Sequence, residues 1–351
     1  MDLIHPHAAR DVQAALRDAT RDGTRVLVVG GRTHMDKGNP GEVDAELWTT
    51  YLDDIVRYDP DEMIATVGSG VRVSQLREVL AEARQEWPID APEGSTVGGV
   101  IAAGIDPVRR LRVGLVRDSV VETTAVTGDG RLVRSGAPTV KSVTGFDVHR
   151  LLVGSFGTLA CITTVSLKVR PLPKARRTLV TADGGVELGQ RLLDAIPLPA
   201  AVLTEPDRVF VRLEGWPEEV REQTHAARLV AVAEVEDDAP FPPPLFPNAT
   251  IVAEASVTPS RLGELLDGQV AYRASMGVGT AWVACGGPAD LAALRETATA
   301  LDGIAPVLRG PGGLGQAEVP APQVQRRIKA AFDPAGILAP RRGWDARGDL
   351  G

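Results

Sequence analysis

Short apolar runs alternate with amphipathic stretches along the chain, and glycines or prolines separate them. Residues 8–22 (AARDVQAALRDATRD) space apolar side chains at helical intervals and lead into TRVLVVGG, so residues 8–31 are predicted to form a helix, a buried strand and a glycine turn. Residues 63–71 (MIATVGSGV) predict another strand, and residues 73–85 predict a helix with Ser74 as its N-cap. DSVVETTAVTGDGRLVRSG predicts a β-hairpin closed by a T-G-D-G turn.

A proline-rich stretch divides the pattern in two. Before it, residues 144–156 (TGFDVHRLLVGSF) predict a short helix that ends at a glycine. Residues 171–177 (PLPKARR) are the best internal boundary, because the repeated pattern of strand-like runs and glycine clusters ends there. Beyond them, the helical stretches 184–196 and 218–231 flank the strand-like run 208–215, an alternation that predicts a sheet covered on one face by helices. PAPQVQRRIKAAFDPAGILAP predicts a helix followed by an apolar tail.

Composition narrows the class of protein. The 351 residues have a formal charge of −8 and a pI near 5.3, which argues against nonspecific nucleic-acid binding. The sequence has no membrane-length apolar run and no basic leader followed by an apolar segment, so we expect a cytoplasmic protein without a transmembrane segment. Cys161 and Cys285 stand in apolar, strand-like contexts and are expected to be buried thiols. Two cysteines are too few for an iron–sulfur cluster, which usually needs four thiolates.

Three glycine clusters occupy the first half of the chain: GGRT at residues 30–33, GSTVGG at residues 94–99 and GSFGT at residues 154–158. Glycine permits a close approach of another backbone or of a ligand, and free backbone N–H groups can form an anion-binding nest. Each cluster taken alone is more typical of a plain turn. Three clusters in one domain favour a large nucleotide ligand, which needs several backbone contacts.

The order of GGRT, APEGSTVGGVIAAG, RRLRVGLVRDSV and VKSVTGFDVHRLLVGSFGTLACITTVSLKVRP resembles the flavin-binding domain of the vanillyl-alcohol oxidase (p-cresol methylhydroxylase-type) superfamily. Within it, the chain is most similar to the FAD-binding subunit of bacterial glycolate oxidase. The similar parts span about residues 5–172 and 325–342, including the tail RIKAAFDPAGILAP. The resemblance implies an α+β fold with a two-subdomain FAD-binding domain (1–172), a smaller α+β cap domain (173–324) and a C-terminal segment (325–351) that returns to the FAD domain.

The resemblance also implies where FAD binds. The family places the first glycine loop against the pyrophosphate, and small residues of the second loop let the chain pass close to the cofactor. The hydroxyl groups of Ser95 and Thr96 are candidate donors to phosphate oxygens, and Ala102 and Ala103 begin the next turn. The residues implied to bind FAD are Gly30, Gly31, Arg32, Thr33, Pro92, Thr96, Gly98, Gly99, Gly104, Gly157, Thr158 and Ile162.

Several positions depart from the family pattern. Arg32 stands where the family often has a glycine or a histidine bonded covalently to the flavin, so we expect noncovalent FAD, with Arg32 as a candidate phosphate partner. His34 is in reach of the flavin in principle, but a solvent-facing loop histidine is the favoured interpretation. The family tail often reads N-P where this chain has Ala339-Pro340, so an asparagine contact near the flavin is expected to be missing.

Other candidate residues have weaker assignments. Lys141, Phe146 and Asp147 match a lysine and a [YF]-D pair of the glycolate-oxidase subunit without an assigned role, and Asp147 is equally well interpreted as a helix N-cap. None of the five histidines forms the H-x-G-D-G-N-x-H metal motif of related hydroxyacid dehydrogenases, so no metal site is expected and no catalytic residue is assigned. The pairs Arg109-Arg110 and Arg341-Arg342 are interpreted as solvated surface residues by default, with carboxylate binding as the alternative.

The resemblance implies an FAD-dependent oxidoreductase subunit that takes part in oxidising a small 2-hydroxy acid. Its implied partners are a larger catalytic flavoprotein subunit and an iron–sulfur subunit that receives electrons. A standalone FAD-dependent alcohol or 2-hydroxyacid dehydrogenase remains an alternative, as does a non-catalytic flavin-binding scaffold subunit. The enolpyruvyl-glucosamine reductase of cell-wall synthesis has a similar FAD domain, but the tail FDPAGILAP argues against it.

Overall fold

The computed structural model divides the chain into two compact units. The first unit comprises Met1–Asp106, Leu115–Leu172 and Val319–Gly351, and the second comprises Pro107–Gly114 and Pro173–Glu318. The structure describes residues 1–39, 41–138, 147–231, 235–237, 241–242, 245–311, 314 and 322–342.

The helices and strands alternate along both units. The helices are α1 (Ala9–Asp22), α2 (Val73–Glu82), α3 (Val97–Ala103), α4 (Arg110–Val113), α5 (Val116–Ser119), α6 (Val148–Leu151), α7 (Val186–Ala195), α8 (Pro217–Val230), α9 (Leu262–Leu266), α10 (Pro288–Ala300) and α11 (Pro322–Phe332). The strands are β1 (Asp2–Ile4), β2 (Val26–Val29), β3 (Ala45–Trp48), β4 (Ile55–Asp59), β5 (Ile64–Gly68), β6 (Gln85–Glu86), β7 (Val120–Thr127), β8 (Leu132–Gly136), β9 (Ala160–Lys168), β10 (Arg170–Pro171), β11 (Ala175–Thr181), β12 (Ala201–Thr204), β13 (Val209–Gly215), β14 (Val235–Asp237), β15 (Ile251–Ser256), β16 (Tyr272–Ser275), β17 (Thr280–Cys285) and β18 (Val307–Arg309).

The first unit contains two larger sheets. A parallel sheet has the order β1-β3-β2, and an antiparallel sheet has the order β4-β5-β9-β7-β8. The apolar stripe of α1, with Val12 and Leu16 fully buried, packs into a core with β2 and β3. Leu76 and Leu80 of α2 enter a second core on the antiparallel sheet. The strand β6 pairs with β10 as a separate two-stranded ribbon.

The second unit is built on one eight-stranded sheet of order β14-β11-β13-β12-β16-β17-β15-β18. Its pairings are antiparallel, and the helices α7, α8, α9 and α10 contribute to one core with one face of the sheet. On β12 the side chain of Val202 joins that core, while Ala201 and Leu203 belong to a cluster on the opposite face with Phe210. The alternation follows from the two-residue period of a strand, and the predicted sheet with helices on one face is confirmed.

The predicted elements of the first unit are largely confirmed. The hairpin is β7-β8, with Val126 opposite Leu132, and the strand predicted at residues 63–71 is β5. The expected N-cap at Ser74 is wrong: the N-cap is Arg72, two residues earlier, and α2 begins at Val73. The reason is tertiary, because Val73 donates to the carbonyl oxygen of Ser95 (2.9 Å) and so fixes the chain at this point.

Residues 107–114 lie in the second unit, although the sequence assigned them to the first domain. The guanidinium of Arg109 pairs with the Glu214 carboxylate of β13 (3.1 Å), and both side chains are buried. Arg112 also donates to the carbonyl oxygen of Leu198 (3.3 Å). These contacts with residues distant in sequence explain why residues 107–114 belong to the second unit. The default surface position expected for Arg109 is therefore wrong.

The tail of the chain runs beside β2. The amide of Val26 donates to the carbonyl oxygen of Ile337 (2.8 Å), and the amide of Ala339 donates to that of Val26 (2.7 Å). The buried carboxylate of Asp333 accepts from the amides of Ile337 and Leu338 and from the Nζ of Lys329. Ile337 and Leu338 enter the core of the parallel sheet, so the apolar tail belongs to the first unit. No described helix is both long and apolar enough to cross a membrane.

Candidate functional site

The first glycine segment follows β2 directly and lies against the second. A side chain on Gly30 would overlap the Oγ1 of Thr96, and one on Gly31 would overlap the carbonyl oxygen of Gly94. Across this contact the hydroxyl groups of Thr33 and Ser95 are hydrogen-bonded (2.8 Å). The two glycines therefore let the segments approach more closely than any larger residue would allow.

Three backbone N–H groups of the first glycine segment are available as hydrogen-bond donors to a ligand. Within the described part of the chain, no residue accepts a hydrogen bond from the amides of Gly31, Arg32 or Thr33. Arg32 has a φ of +56°, in the left-handed region. Consecutive amides without a protein acceptor are donors for an anion or another polar ligand.

The second glycine segment uses its amides internally. Val97 donates to the carbonyl oxygen of Val71 (2.9 Å), and Gly98 donates to that of Ser69 (2.8 Å). The Oγ1 of Thr96 accepts from the amide of Gly99 (3.2 Å) and caps α3. The Thr96 hydroxyl is the acceptor in this bond and the Ser95 hydroxyl is bonded to that of Thr33, so donation from either group to phosphate stays a prediction.

The third glycine segment lies along the end of α3. The amide of Phe156 donates to the carbonyl oxygen of Ala102 (2.8 Å), and the amide of Gly154 donates to that of Ile101 (3.0 Å). Gly157 has a φ of +72°, which favours glycine. The chain then enters β9, and α3 therefore connects the second and third segments physically.

These segments surround a cleft of the first unit with about 640 Å³ of empty space, part of it open to solvent. Eight of the twelve residues implied by the resemblance line it: Gly30, Gly31, Arg32, Thr33, Gly98, Gly99, Gly157 and Ile162. The remaining lining residues are Val28, His34, Met35, Thr49, Ser69, Ala102, Ala103, Phe156, Ala160 and Arg342.

The other four implied residues are not among those lining the cleft. The carbonyl oxygen of Pro92 accepts from the amide of Ser95 (3.1 Å). Thr96 caps the start of α3, and Gly104 ends that helix with a φ of +63°. The hydroxyl of Thr158 donates to the carbonyl oxygen of Ser155 (2.7 Å). Their observed contacts are structural, so their direct contact with the cofactor remains only a prediction.

Two buried polar atoms on residues lining the cleft have no hydrogen-bond partner among the described residues. They are the Nε2 of His34 and the Oγ of Ser69. Burial, with a smaller contribution from Lys37, lowers the pKa of His34 to about 4, so its imidazole is neutral at pH 7. His34 as a whole is half-buried, and the expected solvent-facing position is wrong for its Nε2. An unpartnered buried polar atom is costly unless a ligand or water satisfies it.

Arg32 is engaged by a neighbouring carboxylate. Its guanidinium forms two hydrogen bonds with Glu46 (2.9 and 3.0 Å) and lies 5.3 Å from the ring centre of Trp48. The carboxylate of Glu46 is 3% exposed and also accepts from the indole N–H of Trp48 (3.0 Å). A phosphate would have to compete with this bidentate pair for Arg32.

Arg342 holds the loop that follows the first glycine segment. Its Nη2 donates to the carbonyl oxygens of Met35 (2.9 Å) and Lys37 (2.8 Å). Its own carbonyl oxygen accepts from the amide of Asn39 (2.9 Å). Burial lowers the pKa of its guanidinium. The solvated surface position expected for Arg342 is wrong, whereas Arg341 is exposed.

The remaining candidates within the described part of the chain are not among the residues that line the cleft. Lys141 and Phe146 lie outside the described residues. Asp147 occupies the N-cap position of α6, but its side chain makes no capping hydrogen bond. The two thiols are buried as expected, and burial raises the pKa of Cys161 to about 12. The described residues include no group of three or more His, Cys, Asp or Glu side chains placed to hold a metal ion.

The lining of the cleft offers both apolar and polar contacts to a cofactor. Glycines and alanines on its lining allow close backbone contact, while the free amides of residues 31–33 and the two unpartnered polar atoms provide hydrogen bonds. Val28, Phe156 and Ile162 provide apolar contact for a planar ring. This combination of mostly small or apolar walls and a few placed polar groups is typical of cofactor sites.

Comparison with known proteins agrees with this fit. Residues 3–136 match the family described as "FAD binding domain". The chain is 32% identical to glycolate oxidase subunit GlcE of Escherichia coli (strain K12) over 207 residues, which cover 57% of this chain and 59% of that protein. It is 33% identical to a D-lactate dehydrogenase of Archaeoglobus fulgidus over 171 residues, covering 48% of this chain and 38% of that protein. The chain thus spans less than two thirds of the length of these relatives.

Solved structures share the fold. An alkyldihydroxyacetonephosphate synthase superimposes with a TM-score of 0.69 over 97% of this chain and 75% of its own, at 15% sequence identity. The α+β class and the arrangement of the FAD-binding domain expected from the sequence are confirmed. Residues 3–136 thus match an FAD-binding domain, and this match and the relatives indicate FAD as the cofactor.

Proposed function

We propose that this chain is an FAD-dependent oxidoreductase subunit that takes part in oxidising a small 2-hydroxy acid and passes the electrons to partner subunits. The observation that supports it best is the cleft of the first unit, where residues of all three glycine segments meet two buried polar atoms that lack partners. The similarity to a glycolate oxidase subunit supports the hydroxy acid as substrate class.

In this proposal FAD is held noncovalently in the cleft. The bound flavin supplies a two-electron acceptor for the substrate. The amides of residues 31–33 bind polar oxygens of the cofactor, and Gly98 keeps the second segment close enough for α3 to form one wall. The remaining implied contacts Pro92, Gly104 and Thr158 belong to this proposal as well, whereas Thr96 supports the site as the cap of α3.

The chain's own residues also shape and support the walls of the site. Ala102, Phe156 and Ile162 line the cleft with apolar atoms. Arg342 fixes the loop of residues 34–39 through three hydrogen bonds, so the wall that includes His34 is held in place without the cofactor. A site held in place in advance loses less conformational entropy when the cofactor binds.

The proposed partners are a larger catalytic flavoprotein subunit and an iron–sulfur subunit. A similar protein, glycolate oxidase subunit GlcD of Bacillus subtilis (strain 168), is 26% identical over 246 residues, covering 68% of this chain and 52% of that protein. Its name and that of the GlcE relative describe subunits of an oxidase, which supports an assembly. The two buried cysteines of this chain are too few for an electron relay of the iron–sulfur type.

A standalone FAD-dependent 2-hydroxyacid dehydrogenase is the second candidate. It is favoured by similarity to proteins named D-lactate dehydrogenase and D-2-hydroxyglutarate dehydrogenase. Anaerobic titration of the purified, FAD-loaded chain with glycolate, D-lactate and D-2-hydroxyglutarate separates the candidates. Bleaching of the visible flavin band in the isolated chain supports the standalone enzyme. Bleaching that requires its partner chains supports the subunit.

The same titration tests the proposal as a whole. If the flavin stays oxidised with each hydroxy acid both alone and with partner chains, oxidation of this substrate class is contradicted. A non-catalytic flavin-binding scaffold would then be the remaining explanation. The FAD content of the protein should be measured first, so that loss of cofactor is distinguished from lack of turnover.

A further inference from the structure

The two unpartnered polar atoms of the cleft come from segments that are far apart in sequence. His34 follows the first glycine segment, and Ser69 follows β5. Both residues line the same cleft, and both atoms are buried without a hydrogen-bond partner. Buried polar groups in native proteins are almost always paired, so these two atoms are candidate contacts for a polar ligand in the cleft.

The surroundings of Ser69 fix its hydroxyl group. The amide of Ser69 donates to the carbonyl oxygen of Thr163 (3.0 Å), and its own carbonyl oxygen accepts from the amide of Gly98 (2.8 Å). A side chain on Gly98 would lie 2.6 Å from the Cβ of Ser69, so the absence of a side chain there makes room for Ser69. With 1% of its surface exposed, Ser69 has little freedom to turn its hydroxyl to solvent.

The surroundings of His34 hold its backbone and keep its ring neutral. The Arg342 contacts described above hold Met35 and Lys37, the residues that follow His34 closely in the loop. The amide of Lys37 donates to the carbonyl oxygen of His34 (3.3 Å), which forms a turn. Burial keeps the imidazole neutral at pH 7. His34 therefore presents a neutral ring nitrogen on a loop whose backbone is held by residues outside the glycine segment.

We infer that the Nε2 of His34 and the Oγ of Ser69 each form a hydrogen bond to a polar atom of bound FAD and thereby position the cofactor. This inference rests on the proposed placement of FAD in the cleft. It adds two contacts outside the glycine segments themselves. Neither contact is covalent, and neither changes the charge of the site.

The test uses the full chain freed of cofactor. The variants are His34→Phe, which keeps a planar ring without nitrogen, and Ser69→Ala. His34→Gln is the matched rescue, because its amide nitrogen can reach the position of Nε2. His225→Phe alters an exposed histidine of α8 and serves as the distant control. For each protein the Kd for FAD is measured by quenching of FAD fluorescence, and thermal unfolding is followed with and without FAD.

We expect His34→Phe and Ser69→Ala each to weaken FAD binding about tenfold, the effect of one lost hydrogen bond in a buried site. His34→Gln and His225→Phe should bind like the wild type. The apoprotein variants should unfold at or above the wild-type temperature, because an unpartnered buried polar atom has been removed. Their FAD-induced increase in unfolding temperature should be smaller than that of the wild type.

Wild-type affinity in both His34→Phe and Ser69→Ala would overturn this inference while leaving FAD binding intact. A loss of affinity accompanied by lower apoprotein stability, and not rescued by His34→Gln, would also overturn it, since that pattern indicates a purely structural role. If the wild-type chain itself takes up no FAD, the proposed cofactor site fails as well, and the two failures are thus distinguished.

Discussion

The first and second glycine segments look alike in sequence and differ in the structure. In residues 30–33, the amides of Gly31, Arg32 and Thr33 have no acceptor within the described part of the chain. In residues 94–99, the amides of Val97, Gly98 and Gly99 are all bonded within the protein. The first segment therefore offers donors to a ligand, whereas the second provides the close packing that supports it.

The comparison shows that a glycine-rich motif has two distinct uses at one site. Gly98 is required because Ser69 occupies the space that a larger residue would need. Residues 31–33 are suited to a ligand because their backbone donors are not used by the fold. Substitutions in the two segments should accordingly change different quantities, stability in the second and cofactor affinity in the first.

The largest expected effect is on the second segment. Gly98→Ala places a Cβ 2.6 Å from the Cβ of Ser69 and 2.9 Å from its carbonyl oxygen. We expect it to lower the free energy of unfolding by about 3 kcal/mol, as overpacking of a rigid site does. Chemical denaturation of the apoprotein measures this change. Gly263→Ala, at an exposed helical glycine with no close neighbour, is the control and should be neutral or stabilising. Equal stabilities for the two variants would contradict the packing role.

The next effect concerns the loop after the first segment. Arg342→Ala removes the donor to the carbonyl oxygens of Met35 and Lys37. We expect a loss of about 2 kcal/mol in the free energy of unfolding, the usual contribution of a hydrogen bond from a charged group, and weaker FAD binding. Arg341→Ala changes the exposed neighbour and should leave both quantities near their wild-type values. Similar losses in both variants would show that the loop does not depend on Arg342.

A smaller effect is expected at the helix cap of the second segment. Thr96→Ala removes the oxygen that accepts from the amide of Gly99 and should cost about 1 kcal/mol of stability. Thr96→Ser keeps that oxygen and should behave like the wild type. FAD affinity of the folded protein should change little, because Thr96 is not among the residues that line the cleft. Titration with FAD checks this, and a marked loss of affinity at unchanged stability would restore Thr96 as a direct contact.

The smallest effect is a pH dependence of apoprotein stability. Burial lowers the pKa of His34 to about 4 and also lowers the pKa of His149. A histidine whose folded pKa lies below its unfolded value of about 6.5 contributes stability above that pH and loses it as the pH falls. The unfolding temperature should therefore decrease between pH 7 and pH 5, and His34→Phe should reduce the slope. An identical slope in wild type and variant would contradict the burial of His34.

Much of the local structure could be predicted from the sequence. The apolar spacing of α1 and the T-G-D-G turn of the β7-β8 hairpin are local signals, and the structure has both elements in place. The three glycine clusters identified the cleft because glycine marks close backbone approach wherever the fold needs it. The family resemblance then identified the cofactor as FAD, because the spacing of the glycines alone did not determine which ligand binds.

The features that the sequence did not predict depend on contacts between residues far apart in the chain. His34 was interpreted as solvent-facing because Arg342, which holds its loop, lies more than three hundred positions away in sequence. Ser69 gave no signal at all, since a lone serine after a strand is unremarkable. The helix α2 begins before Ser74 because Ser95 bonds the amide of Val73. The sequence also could not distinguish glycine amides that are free from those that are bonded.

The most direct test of the account is a crystal structure of the chain grown with FAD. We expect the cofactor in the cleft of the first unit, with polar atoms near the amides of residues 31–33 and a wall formed by α3. His34 and Ser69 should lie within hydrogen-bonding distance of it. Density for FAD elsewhere, or a cleft that stays free of FAD in a protein shown to bind it in solution, would contradict the account.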